Sequence, residues 1–133
     1  MAKRGEIWMV DYGRSAYGSE QGGQRPVLVV QNDIGNRFGS TTIVVPITTN
    51  WRRAVKQPTH VLVEEGACEG LRHRSVLMTE QVRCIDLGRL FRKMGHLDDA
   101  LMEKVNLALL VSLSIVDPRQ VHVVVQEESQ QEG

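Results

Sequence analysis

Hydrophobic and polar positions divide the chain into short apolar runs separated by polar or Gly-containing stretches. Runs rich in β-branched and other apolar side chains are typical of strands. Gly, Asn, Pro or clustered polar residues in 13–24, 32–39 and 49–58 predict loops or turns. Pro46 is expected to place the end of its strand at an edge or a bulge. The predicted strands are 6–12, 26–31, 41–48, 60–63, 75–78, 81–85 and 90–94.

One helix is predicted near the end of the chain. Asp98 is a suitable N-cap, and Pro118 would end the helix. Residues 107–116 are apolar on nearly every face, which indicates burial on more than one side. We therefore predict a homodimer held partly by this helix; a helix covered by its own sheet and tail is the alternative. Residues 120–126 alternate weakly, as one more strand would. The apolar stripe at helical spacing is Leu101, Val105, Ala108, Leu109 and Ser112.

Short strands followed by one late helix predict a mainly β fold, a compact and strongly bent β-barrel with a C-terminal helix. A chain of 133 residues is one domain, and 41% hydrophobic with 24% charged residues is an ordinary globular composition. No apolar run approaches the ~20 residues of a membrane span. The N-terminus lacks the apolar core of a secretory signal, so a cytoplasmic protein is expected. Cys68 and Cys84 are interpreted as reduced, structural cysteines.

The net charge is zero, but its distribution is uneven. Residues 1–60 carry eight Lys or Arg and four Asp or Glu, whereas residues 61–133 carry eight and twelve. A basic first half is compatible with binding a phosphate chain, because local potential steers such a ligand. Chance plus an acidic tail explains the asymmetry equally well.

Candidate chemistry is concentrated in residues 18–26. Three Gly residues there permit close backbone approach to a ligand. Arg25, followed by Pro26 at a strand start, would present a permanently charged planar fork suited to phosphate oxygens. Glu20 lies in the same loop. A surface Arg paired with a carboxylate is the structural alternative for Arg25.

Two further segments have residues suited to RNA. Thr48 ends a predicted strand, where its hydroxyl could donate to a phosphate or cap a turn. The loop 50–56 combines Trp51 with three cations, as single-strand binders do, although a dimer contact would use the same residues. Arg72 and Arg74 form a smaller basic cluster. The four His residues are scattered, which disfavours a metal site.

These motifs resemble the MazF/PemK family of toxins. Residues 4–7 resemble their R-G-[DE]-[IV] opening, and residues 18–32 match G-x-E-x-G-x-x-R-P-V-[LV]-[IV]-[IV]-[QS]-N. Residues 46–49 match P-[IVL]-T-[TS], and residues 75–83 resemble S-x-[IVA]-[LM]-x-x-Q-[IV]-R, with Leu77 at the third position. Arg89 and Leu90 fit the start of the R-L-x-x-x-[GI] segment, and Gly95 lies one residue beyond its last position. The likeness runs in order from about residue 3 to 116 and is especially close to chains from Gram-positive bacteria, which leaves 117–133 as a C-terminal extension of unassigned role.

The resemblance implies an SH3-like barrel of the MazF/PemK/CcdB type that forms a dimer. It implies a metal-independent, cofactor-free endoribonuclease that cuts single-stranded RNA at short sequences, leaving a 2′,3′-cyclic phosphate and a 5′-hydroxyl. The implied partners are RNA, a MazE-like antitoxin and a second copy of the chain. Arg25 and Thr48 fall on the family's catalytic pair, and Glu20 is the candidate base. The RNA-binding candidates are Ser19, Gln21, Thr49, Trp51, Arg52, Arg53, Lys56, Arg74, Gln81 and Arg83.

Two alternatives stay open at this stage. A gyrase-poisoning toxin uses the same barrel but acts through protein binding and needs no Arg and Thr in one groove. A non-catalytic relative would bind only RNA or an antitoxin. The presence of both Arg25 and Thr48 favours the nuclease.

Overall fold

A computed structural model of the chain describes residues 1–13, 23–50, 57–117 and 119. The mainly β fold with a C-terminal helix is confirmed, and each predicted strand has its counterpart within a few residues. Short 3₁₀ turns at Thr79–Gln81 and Leu87–Arg89 flank the sixth strand. The elements of the described residues are β1 (Glu6–Asp11), β2 (Gln24–Val29), α1 (Asp33–Phe38), β3 (Thr41–Thr48), β4 (His60–Val63), β5 (Ser75–Met78), β6 (Arg83–Asp86), β7 (Leu90–His96) and α2 (Asp99–Ser112).

The strands pair antiparallel in the order β4-β5-β3-β2-β1-β7, and β6 also pairs with β3. Along one side β3 pairs first with β6, up to Val44, and then with β5 from Ile47 onward. Pro46 falls between these two partners. The expected edge position was wrong, because β3 is an interior strand, although it ends at Thr48 as predicted. A residue without an N–H is tolerated where the strand changes partner.

Alternation of side chains gives the sheet two buried faces. One face packs Ile7, Leu28 and Val45 against α2. The other packs Val10, Val27, Val29, Val44 and Ile85 in a second cluster that also contains Tyr12. The second face matters for function, because it continues to the ends of β2 and β3.

Helix α2 begins as predicted, since the Asp98 carboxylate accepts a hydrogen bond from the Leu101 amide at 2.8 Å. Val105 and Ala108 of the predicted stripe are buried. The helix ends at Ser112, before the predicted stop at Pro118. Beyond it Leu113 and Ile115 are 61% and 66% exposed. This exposure does not test the predicted homodimer, which stays a prediction.

Residues 32–39 were predicted as a turn, and here the structure corrects the sequence interpretation. They contain helix α1, capped by the Asn32 side chain, which accepts from the Gly35 amide at 2.8 Å. Asn and Gly are common in turns, but Asn36 is buried and bonded within the fold, which favours the helix. No helix in the described ranges is both long and apolar enough to cross a membrane. The weak strand suggested at 120–126 lies outside the described residues.

Candidate active site

Arg25 lies near the start of β2, directly opposite Val10 of β1. The three residues that follow Pro26 in this strand are buried, so the strand is fixed against the core while Arg25 itself is exposed. Because side chains alternate along a strand, Arg25 lies on the same face as Val27 and Val29. Its guanidinium is therefore presented at the rim of the second buried face.

Thr48 is the last residue of β3 and pairs with Val76 of β5. Its hydroxyl oxygen accepts a hydrogen bond from the Asn50 amide at 3.1 Å. This is the turn-capping role that the sequence left open. The bond uses an oxygen lone pair and leaves the hydroxyl proton for donation to a ligand. Thr49, the next RNA-binding candidate, is exposed.

The pairing of β2 with β3 brings the two candidate catalytic residues together. Val29 lies opposite Val44, Leu28 opposite Val45 and Val27 opposite Pro46. If this register is extended by two residues beyond Val27 and Pro46, Arg25 lies opposite Thr48 on the same face of the sheet. Directly opposed residues in antiparallel strands have Cβ atoms about 4.5–5.5 Å apart. A guanidinium and a hydroxyl at that spacing can both reach oxygens of one phosphate.

A second guanidinium reaches this face from β6. Arg83, opposite Val44 of β3, lies with its guanidinium carbon 4.5 Å from the centre of the Tyr12 ring. Arg89 joins from the following 3₁₀ turn, where its Nη1 donates to the carbonyl oxygen of Asp11 at 3.1 Å. The arginines of the acidic second half of the chain thus lie beside the basic first half. Counting the charges of the two halves of the sequence separately does not show that these arginines lie close to the basic first half in the fold.

Tyr12 was missed as a functional residue by sequence reasoning. It is 8% exposed, and its hydroxyl is buried without a hydrogen-bond partner among the described residues. Burial raises the pKa of this hydroxyl, and the nearby charges of Arg83 and Arg89 only partly oppose the rise. The signal in the sequence was its position, two residues after Val10 on the same face of β1.

Two other RNA-binding candidates lie on the β5 side of β3. Gln81 is exposed in the 3₁₀ turn, and its Nε2 donates to the Met78 sulfur at 3.6 Å. Arg74 forms a bidentate pair with Glu64, with both N–O distances 2.9 Å. Hydrogen bonds from Arg74 hold the pKa of Glu64 below its usual value. The Arg74 charge is therefore compensated by a carboxylate, unlike that of Arg83.

The described residues that flank the remaining candidates are Gly13 and Gly23 on one side and Asn50 and Gln57 on the other. The Gly23 amide donates to the Gly13 carbonyl at 2.9 Å, and the Tyr12 amide donates to the Gly23 carbonyl at 3.0 Å. The described chain thus leaves the sheet at Gly13 and returns to it at Gly23, two residues before Arg25. Ser19, Glu20, Gln21, Trp51, Arg52, Arg53 and Lys56 lie outside the described residues.

The chain is similar in sequence to a known family of proteins. The sequence model of the PemK-like, MazF-like toxins of type II toxin–antitoxin systems matches residues 3–113. The chain is 49% identical over 117 residues to Endoribonuclease EndoA of Bacillus subtilis, covering 88% of this chain and 98% of that protein. It is 42% identical over 115 residues to Endoribonuclease MazF of Staphylococcus saprophyticus, covering 86% and 93%. Both bacteria are Gram-positive, as the sequence predicted.

Solved structures give the same fold. A mycobacterial endoribonuclease solved in complex with its cognate antitoxin superposes with a TM-score of 0.70 at 26% identity, covering 89% of this chain and all of that one. MazF of Deinococcus radiodurans superposes with a TM-score of 0.69, covering 85% and 96%, and at 23% identity this likeness concerns the fold alone. On the match over residues 3–113 and the two curated relatives, the chain belongs to the family of PemK-like, MazF-like toxins of type II toxin–antitoxin systems.

Proposed function

We propose that the protein is a sequence-specific, metal-independent endoribonuclease that cleaves single-stranded RNA to 2′,3′-cyclic phosphate and 5′-hydroxyl ends. The observation that carries the proposal is the β2–β3 register, because its extension by two residues beyond Val27 and Pro46 sets Arg25 opposite Thr48. The names of the two curated relatives, both endoribonucleases, support the same activity.

The reaction needs three kinds of assistance. The 2′-hydroxyl must lose its proton, the phosphorane must have its charge stabilised, and the 5′-oxygen must gain a proton. Arg25 is suited to the second task because its fork of N–H donors carries a permanent charge. It is a poor base, since a guanidinium with a pKa above ~12 is almost never neutral.

The other roles follow from what each side chain can donate or accept. Thr48 can donate its hydroxyl proton to a non-bridging oxygen while its oxygen accepts from the Asn50 amide. Arg25 is assigned proton donation to the leaving oxygen as a second role. Glu20 is the carboxylate of the motif that could accept the 2′ proton, and it lies outside the described residues.

The proposed partners are single-stranded RNA, a MazE-like antitoxin and a second copy of the chain. A mycobacterial neighbour solved with its cognate antitoxin supports the antitoxin. The exposed Leu113 and Ile115 after α2 support a homodimer, because a second copy would cover them. We propose a cytoplasmic toxin domain at residues 1–116, with 117–133 as an extension.

Cleavage of a naked transcript in the presence of EDTA tests the proposal. We expect fragments whose 3′ ends are one water lighter than a linear phosphate by mass spectrometry. Arg25→Ala should reduce the rate by at least the ~10²–10³ that loss of one charge-stabilising donor costs. Arg92→Ala is the matched control, because it removes the same charge from an exposed position of β7 opposite Met9, which points away from the face of Arg25.

Each outcome separates the candidate functions. Wild-type cleavage by Arg25→Ala would overturn the site assignment. Intact RNA together with broken DNA in the presence of gyrase would support the gyrase-poisoning alternative, and RNA binding without cleavage would support the non-catalytic one. If cleavage occurs, primer extension across the fragments gives the recognition sequence.

A further inference from the structure

The Arg83 guanidinium is held by an aromatic ring on a distant strand. In the order of pairing, β3 and β2 lie between β6, which carries Arg83, and β1, which ends beside Tyr12. The 4.5 Å between the guanidinium carbon and the ring centre is well inside the ~6 Å range of a cation–π contact. The long Arg83 side chain therefore extends over the sheet face toward the end of β1.

That end of β1 is also where Arg25 lies. Val10 is directly opposite Arg25, so Tyr12, two residues further along the same face, is its diagonal neighbour. Diagonal neighbours in antiparallel strands are about 7–8 Å apart at Cα, within reach of long side chains. The ring that holds Arg83 thus adjoins the residue assigned to the scissile phosphate.

The groups that hold these arginines do not cancel their charge. The Tyr12 side chain carries no charge near neutral pH, and burial raises the pKa of its hydroxyl further. Arg89 donates to a neutral backbone carbonyl, that of Asp11, whose carboxylate instead accepts from the Gly13 amide at 2.8 Å. Neither Arg83 nor Arg89 forms an ion pair within the ranges that the structure covers. Arg74, held by Glu64, shows the contrasting arrangement.

We propose that Tyr12 is a positioning residue that presents Arg83 to the RNA phosphate adjacent to the one at Arg25 and Thr48. The proposal rests on the proposed nuclease function. A neutral aromatic ring suits this task, because it restricts the motion of the Arg83 guanidinium before RNA binds. The positive charge of the guanidinium stays uncompensated and can interact with the phosphate. The ring of Tyr12, and not its hydroxyl, is what the task requires.

A mutant cycle in steady-state cleavage tests this role, using a short labelled RNA that spans a mapped cleavage site. Tyr12→Phe keeps the ring and should leave KM unchanged. Tyr12→Leu should raise KM about two- to fivefold, the range expected for losing an exposed cation–π contact, with kcat unchanged. Arg83→Gln should raise KM about tenfold, as loss of a charged hydrogen bond does. Adding Tyr12→Leu to Arg83→Gln should then raise KM no further.

Salt dependence provides the readout that a merely structural role would not change. Removing one phosphate contact to a single strand should lower the slope of log KM against log salt by about 0.7 for Arg83→Gln. An unchanged slope overturns the phosphate contact. An equal rise in KM from Tyr12→Leu in the presence and absence of Arg83, or a rise in Tyr12→Phe, overturns the positioning role.

Two controls keep the result interpretable. Tyr12→Met fills similar space without a π face and replaces Tyr12→Leu if that variant does not fold. If neither folds, Arg83→Gln, at an exposed position, still decides the phosphate contact through its slope. Failure of the wild-type protein to cleave would refute the proposed function. Wild-type cleavage without coupling between Tyr12 and Arg83 would refute only this inference.

Discussion

Replacing Asn36 by Ala tests the connection that fixes the candidate active site. Asn36 lies in α1, between the strands that carry Arg25 and Thr48, and is 2% exposed. Its Oδ1 accepts from the Thr42 hydroxyl at 2.6 Å and from Gln31 Nε2 at 3.0 Å. Its Nδ2 donates to the Gln31 carbonyl at 3.0 Å and to Asp33 Oδ1 at 3.2 Å. One side chain thus ties α1 to the end of β2 and to the start of β3.

The cost of the substitution follows from the partners it leaves unbonded. The Thr42 hydroxyl is fully buried and the Gln31 carbonyl partly so, and each unsatisfied buried group costs about 1–3 kcal/mol. Gln31 Nε2 keeps its bond to the Thr41 carbonyl, and Asp33 is accessible to water. We therefore expect Asn36→Ala to lower the free energy of unfolding by about 2–4 kcal/mol. Thr42→Val alone should cost about 0.5–1.5 kcal/mol, because Asn36 still accepts from Gln31.

Urea denaturation followed by tryptophan fluorescence measures the two variants and their combination. The protein concentration is held fixed, because dimerisation would make the midpoint depend on it. In the Asn36→Ala background, Thr42→Val removes a buried hydroxyl that has lost its acceptor, so it should be neutral or stabilising. The double mutant should then be more stable than the sum of the two single effects predicts, by about 1–2 kcal/mol. Additive effects, or a loss below about 0.5 kcal/mol for Asn36→Ala, would refute the network as the anchor of α1.

Two further predictions concern charged groups. Burial raises the pKa of Glu6, but hydrogen bonds from Lys93, Trp8 and the Lys3 amide outweigh it and leave the pKa below its usual value of 4.5. The resulting stability is present above that value and is lost as the pH falls through the lower folded-state pKa, so acid titration of Tm should be flatter for Glu6→Gln than for the wild type. Glu64→Gln removes the compensating charge from Arg74 and should lower KM for RNA about two- to threefold, the effect of one exposed charge. An unchanged KM would remove Arg74 from the RNA-binding surface.

The strands and α2 could be predicted from sequence because their signals are local. The apolar run after Pro26 and the cap at Asp98 are visible within a few residues. Helix α1 was misread because its Asn and Gly residues resemble a turn, whereas the bond between Asn36 and buried Thr42 depends on the folded chain. The role of Pro46 was misjudged for a related reason, since only the pairing of β3 with two successive strands accommodates it.

The candidate site likewise contains residues that could be predicted from the sequence and residues that could not. Family resemblance pointed to Arg25 and Thr48 as a pair, but their alignment depends on the register set across α1. Tyr12 and Arg89 were not candidates, because no local pattern relates a tyrosine at the end of β1 to arginines late in the chain. The Asp11 carbonyl and Arg89 are 78 residues apart in sequence. Arg89 reaches Asp11 because the next residue, Leu90 of β7, pairs with Val10 of β1 in the folded sheet.

This long-range placement changes how charge in the chain is interpreted. A net charge of zero argued against a nucleic-acid partner, and the division into halves located the positive charge in the first half. In the fold, Arg83 and Arg89 from the second half reach the end of β1, and what holds them decides how much charge remains for RNA. An arginine on a carboxylate, such as Arg74, adds little local potential, whereas one on an aromatic ring or a carbonyl keeps its charge. The affinity of this protein for RNA should therefore depend more on the neutral groups that hold its arginines, above all the Tyr12 ring, than on the number of basic residues.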